Sequence, residues 1–455
     1  MLNISSMLAN PLSKKFTFKK YYHSLNGVGK PCTFTTHAPK ETETKMAAHM
    51  EWIKDNGIKL HKNIHYPAYF QTTDGFTYPG FAALEDIKEN DLIMTVPSKL
   101  ILSTQVAYYS ELNSFFRLHV NIFSSKTAAW EDYVLILYLM MEESKGEKSL
   151  WNPMLQLWPA EVDVFYCWSE KDIKEIQCMR IIKDAIMENN ALRSSWEMLA
   201  EILNLYPKLF QKKYFNYSNY VRYWALLSSR IFNSFICTTA FTPYAEFVNH
   251  ENVDTYYKTL QEKDLTEIES TAEVESSDVN SEFDLDDRYT VLMLPTNDNE
   301  VLGVEVTSNE QADAEAELKN IRYLLDGVSV SDEERATLAQ IDDKFSKDCE
   351  HIQILRNSKQ AYEKGSQIYM SYGKHSNGGL LSKYSFMLAN NKYNYAVIEL
   401  DVAKKYDDVS EATIKKVFGI ASKLVYDMGI KIYHQKLSNR KMLNRVHFVL
   451  QNTLA

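Results

Sequence analysis

With 455 residues and a formal charge of −10, the chain is long enough for two or three domains and too acidic for a general nucleic-acid binder. Hydrophobic residues make up 45% of it, as in an ordinary globular protein, and no run of 18 apolar residues could span a bilayer. Cys32, Cys167, Cys178, Cys237 and Cys349 are scattered with no C-x-x-C pair, which reads as reduced intracellular thiols rather than a disulfide or zinc framework.

Residues 1–40 contain no Asp or Glu but carry Lys14, Lys15, Lys19, Lys20, Lys30 and Lys40 among hydroxyl and aromatic residues. That is the composition of a mitochondrial transit peptide, although the usual arginines are missing, so a basic disordered tail competes with it. The first reading places the protein in the mitochondrion, the second in the cytoplasm. From Met46 the pattern turns globular. Trp52, Ile53, Ile58 and Leu60, interrupted by Asn56-Gly57, predict a helix with a glycine end followed by a strand. Residues 75–87 and 91–97 are two apolar runs separated by Lys88-Glu-Asn-Asp91, which predicts a hairpin.

Residues 104–230 read as mainly helical. Tyr133–Met141 is a buried helix, Trp151 and Trp168 are core, and Tyr220–Phe232 is a helix near whose end stands Arg230. An arginine closing an apolar helix calls for a carboxylate partner. Glu262–Asp287 is crowded with acidic and hydroxyl residues and reads as a disordered, solvated insert. Arg288–Leu294 with Val301–Val306 suggests a hairpin, and Ala312–Leu325 and Ser331–Ile341 suggest helices, the second opened by the capping sequence Ser-Asp-Glu-Glu. Beyond Asn391, Ala412–Met428 and Lys436–Leu450 are expected as amphipathic helices.

Two stretches carry the chemistry. Phe241-Thr-Pro-Tyr-Ala-Glu-Phe-Val-Asn249-His250 ends in an amide and an imidazole. Gln367-Ile-Tyr-Met-Ser-Tyr-Gly-Lys-His-Ser-Asn377 is a short β-rich run broken at Tyr372-Gly373, after which Ser376-Asn377 opens a helix. Alone, the second stretch is equally a strand-turn-helix corner with a core tyrosine. No second His or Cys lies at ligand spacing from His250, so no metal site is expected.

Together these stretches resemble the SET-domain methyltransferases of the class like Rubisco large-subunit methyltransferase and the actin-histidine methyltransferases. That class has an Asn-His pair after a proline-containing apolar segment. It then has a G-E-Q-x-Y-I-x-Y-G-x-x-S-N block, here Gly365–Asn377, and a Y-G-F or S-G-F, here Tyr384-Ser385-Phe386. A W-x-x-x-N-G helix start (Trp52–Gly57) and an S-R-x-F (Ser229–Phe232) follow the same order.

The resemblance implies an α+β SET-type fold of short sheets, with a helical insert at 104–230 and a short helical C-terminal region at 401–455. The domain would run over 46–103 and 231–400, the latter holding an acidic disordered insert at about 259–350, and residues 1–45 would lie outside it as a basic extension. It implies S-adenosylmethionine as cofactor and a lysine or histidine side chain of a protein substrate as acceptor. Tyr372 would be catalytic. Tyr78, Pro79, Gly80, Arg230, Asn249, His250, Tyr384 and Phe386 would hold the cofactor, and Arg230 and Glu246 the substrate. Tyr78-Pro79-Gly80 stands where the class has Gly-x-Gly, and since glycine takes φ values that tyrosine resists, a loop of different shape or with a narrower mouth is expected. Glu246 replaces an aspartate. These departures, with the short C-terminal region, keep an alternative open: a catalytically silent SET fold serving as a binding subunit of a larger assembly.

Methyl transfer is an in-line displacement that needs an acceptor lone pair, close alignment and exclusion of water. A lysine amine, with a pKa of about 10.4 in water, would lose its proton more readily in a narrow apolar channel beside a positive sulfonium. In the resemblance, the Tyr372 hydroxyl orients that amine and touches the polarised methyl.

Overall fold

The computed structural model describes residues 28–451 except 38–39, 41, 72–76, 177, 232–238, 254, 262–309, 328–330, 347–350, 358–359, 389 and 402–444. Strands are numbered in chain order. The sheet that organises the molecule has five, in the order β1 (Phe34–Thr35), β3 (Ile64–Gln71), β4 (Thr77–Ala83), β11 (Gln367–Met370), β8 (Asn249–His250). β3 and β4 are antiparallel from Ile64↔Ala83 to Gln71↔Thr77. β11 lies antiparallel to β4 through Gln367↔Ala82 and parallel to β8 through Tyr369↔Asn249 and Met370↔His250. A second sheet runs β2 (Lys59–Leu60), β5 (Leu92–Val96), β10 (His351–Asn357), β9 (Thr255–Gln261), and β6 (Leu102–Ser103) pairs with β7 (Ala240–Phe241).

The pleat sorts side chains to two faces. Phe81, Ile368 and Met370 enter the main core, whereas Ala68, Phe70 and Ala82 form a small second cluster with Tyr78, Phe34 and Cys32 against it.

Two expectations are corrected here. The runs at 75–87 and 91–97 are not partners: β4 joins β3 and β11, while β5 joins the other sheet. Lys88–Asp91 does turn the chain, with Asn90 at φ +66° and the Asp91 carboxylate accepting the Lys88 N–H at 2.8 Å. Ile87, however, exchanges both main-chain bonds with Tyr362 at 2.9 Å, which sends the chain to a different layer. Residues 28–35, placed outside the domain by the sequence pattern, belong to the fold. The Cys32 N–H donates to the Gly365 carbonyl at 3.1 Å, Lys30 pairs with Glu363, and β1 extends the sheet on β3.

The helix Glu43–Asp55 buries Trp52 and Ile53 and stops where the Asn56 side chain donates to the Trp52 carbonyl at 2.8 Å and Gly57 takes φ +83°. The helix Trp130–Lys145 is buried on nearly every face from Trp130 to Glu142, as its unbroken apolar run dictates. The helices Met179–Leu203 and Tyr217–Arg230 complete the helical body, in which Trp151 and Trp168 are core.

The helices Glu310–Gly327 and Asp332–Ser346 match the expected ones, and the second opens with Ser331 and Glu334 bonding each other's main-chain N–H groups at 3.2 and 3.0 Å. They pack on the helical body through Ile321, Leu338, Ile341 and Phe345. Glu262–Asp287 and the hairpin expected at 288–306 lie outside the described residues, as do Phe232 and residues 412–428.

The helix expected over 436–450 is corrected in its last residues. Arg445–Gln451 forms β13, paired along its length with β12 (Tyr395–Asp401). Val446, Phe448 and Leu450 recur at period two, and a partner some fifty residues upstream, unseen in a local window, selects the strand.

Candidate functional site

The parallel pairing of β8 and β11 brings together residues 120 positions apart. Just beyond it, the Tyr372 N–H donates to His250 Nδ1 at 3.0 Å, and the Tyr372 hydroxyl donates to the Val248 carbonyl at 2.8 Å. The same Nδ1 stands 3.3 Å from the Met370 carbonyl, so main chain on both sides of the crossing holds the ring. The two rings stack with centroids 4.9 Å apart.

The helix Asn377–Tyr384, capped by the Ser376 hydroxyl accepting from the Gly379 N–H at 3.1 Å, delivers the remaining aromatics. Tyr384 lies 4.9 Å from Tyr372, and Phe386 lies 5.9 Å from His250, ring centre to ring centre. Tyr372, His250, Tyr384 and Phe386 are thus one aromatic wall.

Asn249, on the opposite face of β8 from His250, donates its amide to the Pro79 carbonyl at 2.9 Å. This explains Gly80. A Cβ there would sit 2.7 Å from Gln367 Nε2 and 2.8 Å from Asn249 Nδ2, so any larger residue would have to push both amides aside. The expected reshaped loop at Tyr78-Pro79-Gly80 is therefore corrected, because these residues are regular β4 strand. Tyr78 leans on Phe70 with centroids 5.9 Å apart and donates its hydroxyl to Gln367 Oε1 at 3.1 Å. Burial pushes that hydroxyl up to about 12, so it stays a donor at neutral pH. Tyr369 donates to the same oxygen at 2.8 Å, which leaves Gln367 Nε2 buried without a partner among the described residues.

Arg230 and Glu246 lie at the base of the segment leading to Val248. The carboxylate partner expected for Arg230 is corrected: its Nη1 donates to the Glu246 main-chain carbonyl at 3.4 Å, and its guanidinium stands 5.6 Å from the Phe247 ring centre. The Glu246 carboxylate accepts instead from the Trp158 indole at 2.8 Å, and its Oε2 has no hydrogen-bond partner among the described residues. Burial raises the carboxyl from 4.5 to about 7, against the opposing pull of the Arg230 charge and the indole N–H. Near neutral pH it is poised between acid and carboxylate.

Sequence reading missed Trp158, Gln367 and His375. Gln367 lay inside the recognised block, whereas Trp158 is 88 residues from its partner and carried no local signal.

No family model matches the chain. The chain is 26% identical over 208 residues, 44% of its length, to the chloroplastic ribulose-1,5-bisphosphate carboxylase/oxygenase large subunit N-methyltransferase of Pisum sativum. It is 24% identical over 213 residues to the actin-histidine N-methyltransferases of Canis lupus familiaris and Homo sapiens. These matches span 38% of the pea protein and 34% of each of the others, little more than a third of the relatives' length. In three dimensions the chain is similar to the SET domain of LSMT, solved bound to lysine and AdoHcy. That likeness has a TM-score of 0.51 and 16% identity, over 92% of this chain and 69% of the other. The fold is that of a SET domain. Within it, the Asn249-His250 segment and the Tyr372 block, recognised separately in sequence, meet along one strand pair.

Proposed function

We propose that this SET-fold chain is a protein methyltransferase that uses S-adenosylmethionine to methylate a lysine or histidine side chain of a protein substrate. The observation that carries the proposal is the crossing itself, where the Tyr372 hydroxyl is oriented by Val248 inside a wall of His250, Tyr384 and Phe386. Sequence similarity to a Rubisco large subunit N-methyltransferase and to actin-histidine N-methyltransferases, and likeness to a SET domain solved with lysine bound, support the acceptor class without choosing between the two.

The residues present fit such a cofactor. The absence of a side chain at Gly80 lets two amides, Asn249 and Gln367, approach the main chain. Asn249 with the Pro79–Gly80 main chain would hold the amino-acid end, and Tyr384 and Phe386 would flank the flat or apolar parts. When bound, the cofactor supplies a methyl group on a positive sulfonium. Tyr372, with its proton committed to the Val248 carbonyl, presents its oxygen as an acceptor that aligns the incoming amine or imidazole. Glu246 lies two residues before Val248 and Arg230 bonds its main-chain carbonyl, so the pair would set the charge at the substrate side; the longer glutamate side chain reaches the Trp158 indole.

We further propose a mitochondrial address on the strength of the acid-free residues 1–40. Since Gly29–Thr35 contribute to the fold, any removable leader would end upstream of them. Calorimetric titration with S-adenosylmethionine tests the main reading. Saturable binding is expected, and absence of binding at millimolar cofactor overturns it in favour of a silent binding subunit.

A further inference from the structure

Tyr372 is bonded through all three of its polar atoms, and two of the three partners are histidine rings. Its N–H donates to His250 Nδ1 at 3.0 Å, its hydroxyl to Val248, and its carbonyl lies 3.0 Å from His375 Nε2. A carbonyl can only accept, so His375 carries its proton on Nε2 in this contact. We propose that His375 is a positioning residue for methyl transfer, fixing the Tyr372 peptide so that the phenol oxygen stays aligned; this inference rests on the proposed activity.

Three independent features build the contact. Gly373 takes φ +121°, and a Cβ there would sit 3.0 Å from His375 Nε2, so glycine lets the ring fold back over the turn. The turn is closed by the His375 N–H donating to the Gly373 carbonyl at 3.1 Å. From behind, the buried Asn391 amide donates to the His375 carbonyl at 2.9 Å and to Asn377 Oδ1 at 3.0 Å. The Asn377 amide in turn donates to the Leu388 carbonyl at 2.9 Å. The histidine is therefore held by its main chain and applies its ring to one atom of Tyr372. The same ring stands 5.9 Å from Tyr384, so it spans the two tyrosines of the wall. Its neighbour Lys374 is exposed, which separates the role of position 375 from that of the turn as a whole.

Alignment in group transfer is sensitive to sub-ångström shifts, and losing one positioning contact typically lowers the rate roughly tenfold to hundredfold. The test uses the full chain, tritiated S-adenosylmethionine and a library of lysine- and histidine-containing peptides, with rates compared on the peptide that the wild type methylates fastest. His375→Ala should lower the single-turnover rate by roughly tenfold or more, with cofactor affinity by calorimetry and the melting temperature nearly unchanged. His375→Gln, whose Nε2–H reaches the same position, should restore most of the rate. An unchanged rate in His375→Ala, or equal loss in both variants together with loss of cofactor affinity, overturns the assignment. A wild type that methylates nothing overturns the proposed activity, and this inference with it. A measurement independent of turnover is the two-bond proton–nitrogen spectrum of protein labelled with ¹⁵N-histidine. The resonance that disappears in His375→Gln must show a proton on Nε2; a lone pair there overturns the contact itself.

Discussion

The helix Trp130–Lys145 and the β8–β11 crossing are opposite solutions to holding a chain in place. The helix closes its hydrogen bonds locally and buries Val134, Leu135, Ile136, Leu137, Leu139 and Met140 completely. The crossing is two register pairs long and is fixed by single polar contacts between distant segments, such as Tyr372 to Val248 and Asn249 to Pro79. Stability should therefore reside in the first and chemistry in the second, and the two should be separable by mutation.

The strongest test attacks the helix. Leu137→Ala leaves a cavity in a closed core and should cost about 2–5 kcal/mol by denaturant unfolding, with cofactor affinity lost only as the protein unfolds. A smaller loss would show that the helical body is not the main store of stability.

Tyr372→Phe reverses the pattern. Removing one oriented hydroxyl should lower methyl transfer about a hundredfold, or roughly 2.7 kcal/mol in the barrier. Stability should fall by only about 1 kcal/mol, the worth of one hydrogen bond. Parallel loss of rate, cofactor affinity and melting temperature would mean that the crossing is structural.

Glu246 adds a pH dependence to the same region. Its folded pKa is raised from 4.5 to about 7, so the folded chain holds its proton more tightly than the unfolded chain does. The favourable contribution is complete below pH 4.5, declines as pH rises from 4.5 to about 7, and is absent above. The total is on the order of 3 kcal/mol as an upper figure, because Arg230 and local relaxation share the load. Comparing unfolding at pH 5 and pH 8, the wild type should lose stability where Glu246→Gln, which cannot ionise, does not. Parallel curves for the two proteins would refute this ionisation.

The smallest effect is expected at Gly80. Gly80→Ala forces a methyl group against the amides of Gln367 and Asn249, costing about 1–3 kcal/mol, and should weaken S-adenosylmethionine binding by displacing Asn249. Unchanged calorimetry would move the cofactor away from this strand.

What the sequence made legible followed the range of the interactions. The helix ending at Asn56-Gly57, the buried run of Trp130–Lys145 and the Ser331–Glu334 cap announce themselves within one or two turns. So does the corner at Tyr372-Gly373, where a β-rich run meets a glycine and an N-cap serine. The limits and partners of β3, β4 and Arg445–Gln451 carry no such local signal, because each is selected by a strand elsewhere in the chain. The site divides in the same way. The resemblance to the SET class implies that Asn249, His250 and Tyr372 serve one site. Trp158 on Glu246 and His375 on Tyr372 depend on where side chains arrive after folding.

The crossing also sets an order of events during synthesis. β11 must find β4, made almost three hundred residues earlier, and β8, made more than a hundred earlier. Contacts of such long range form late, whereas the helical body can collapse as soon as it leaves the ribosome. Such a chain would have a collapsed helical body before it has any site at all. The last strand of the five to be made completes it, so competence arrives as a single late event rather than by degrees.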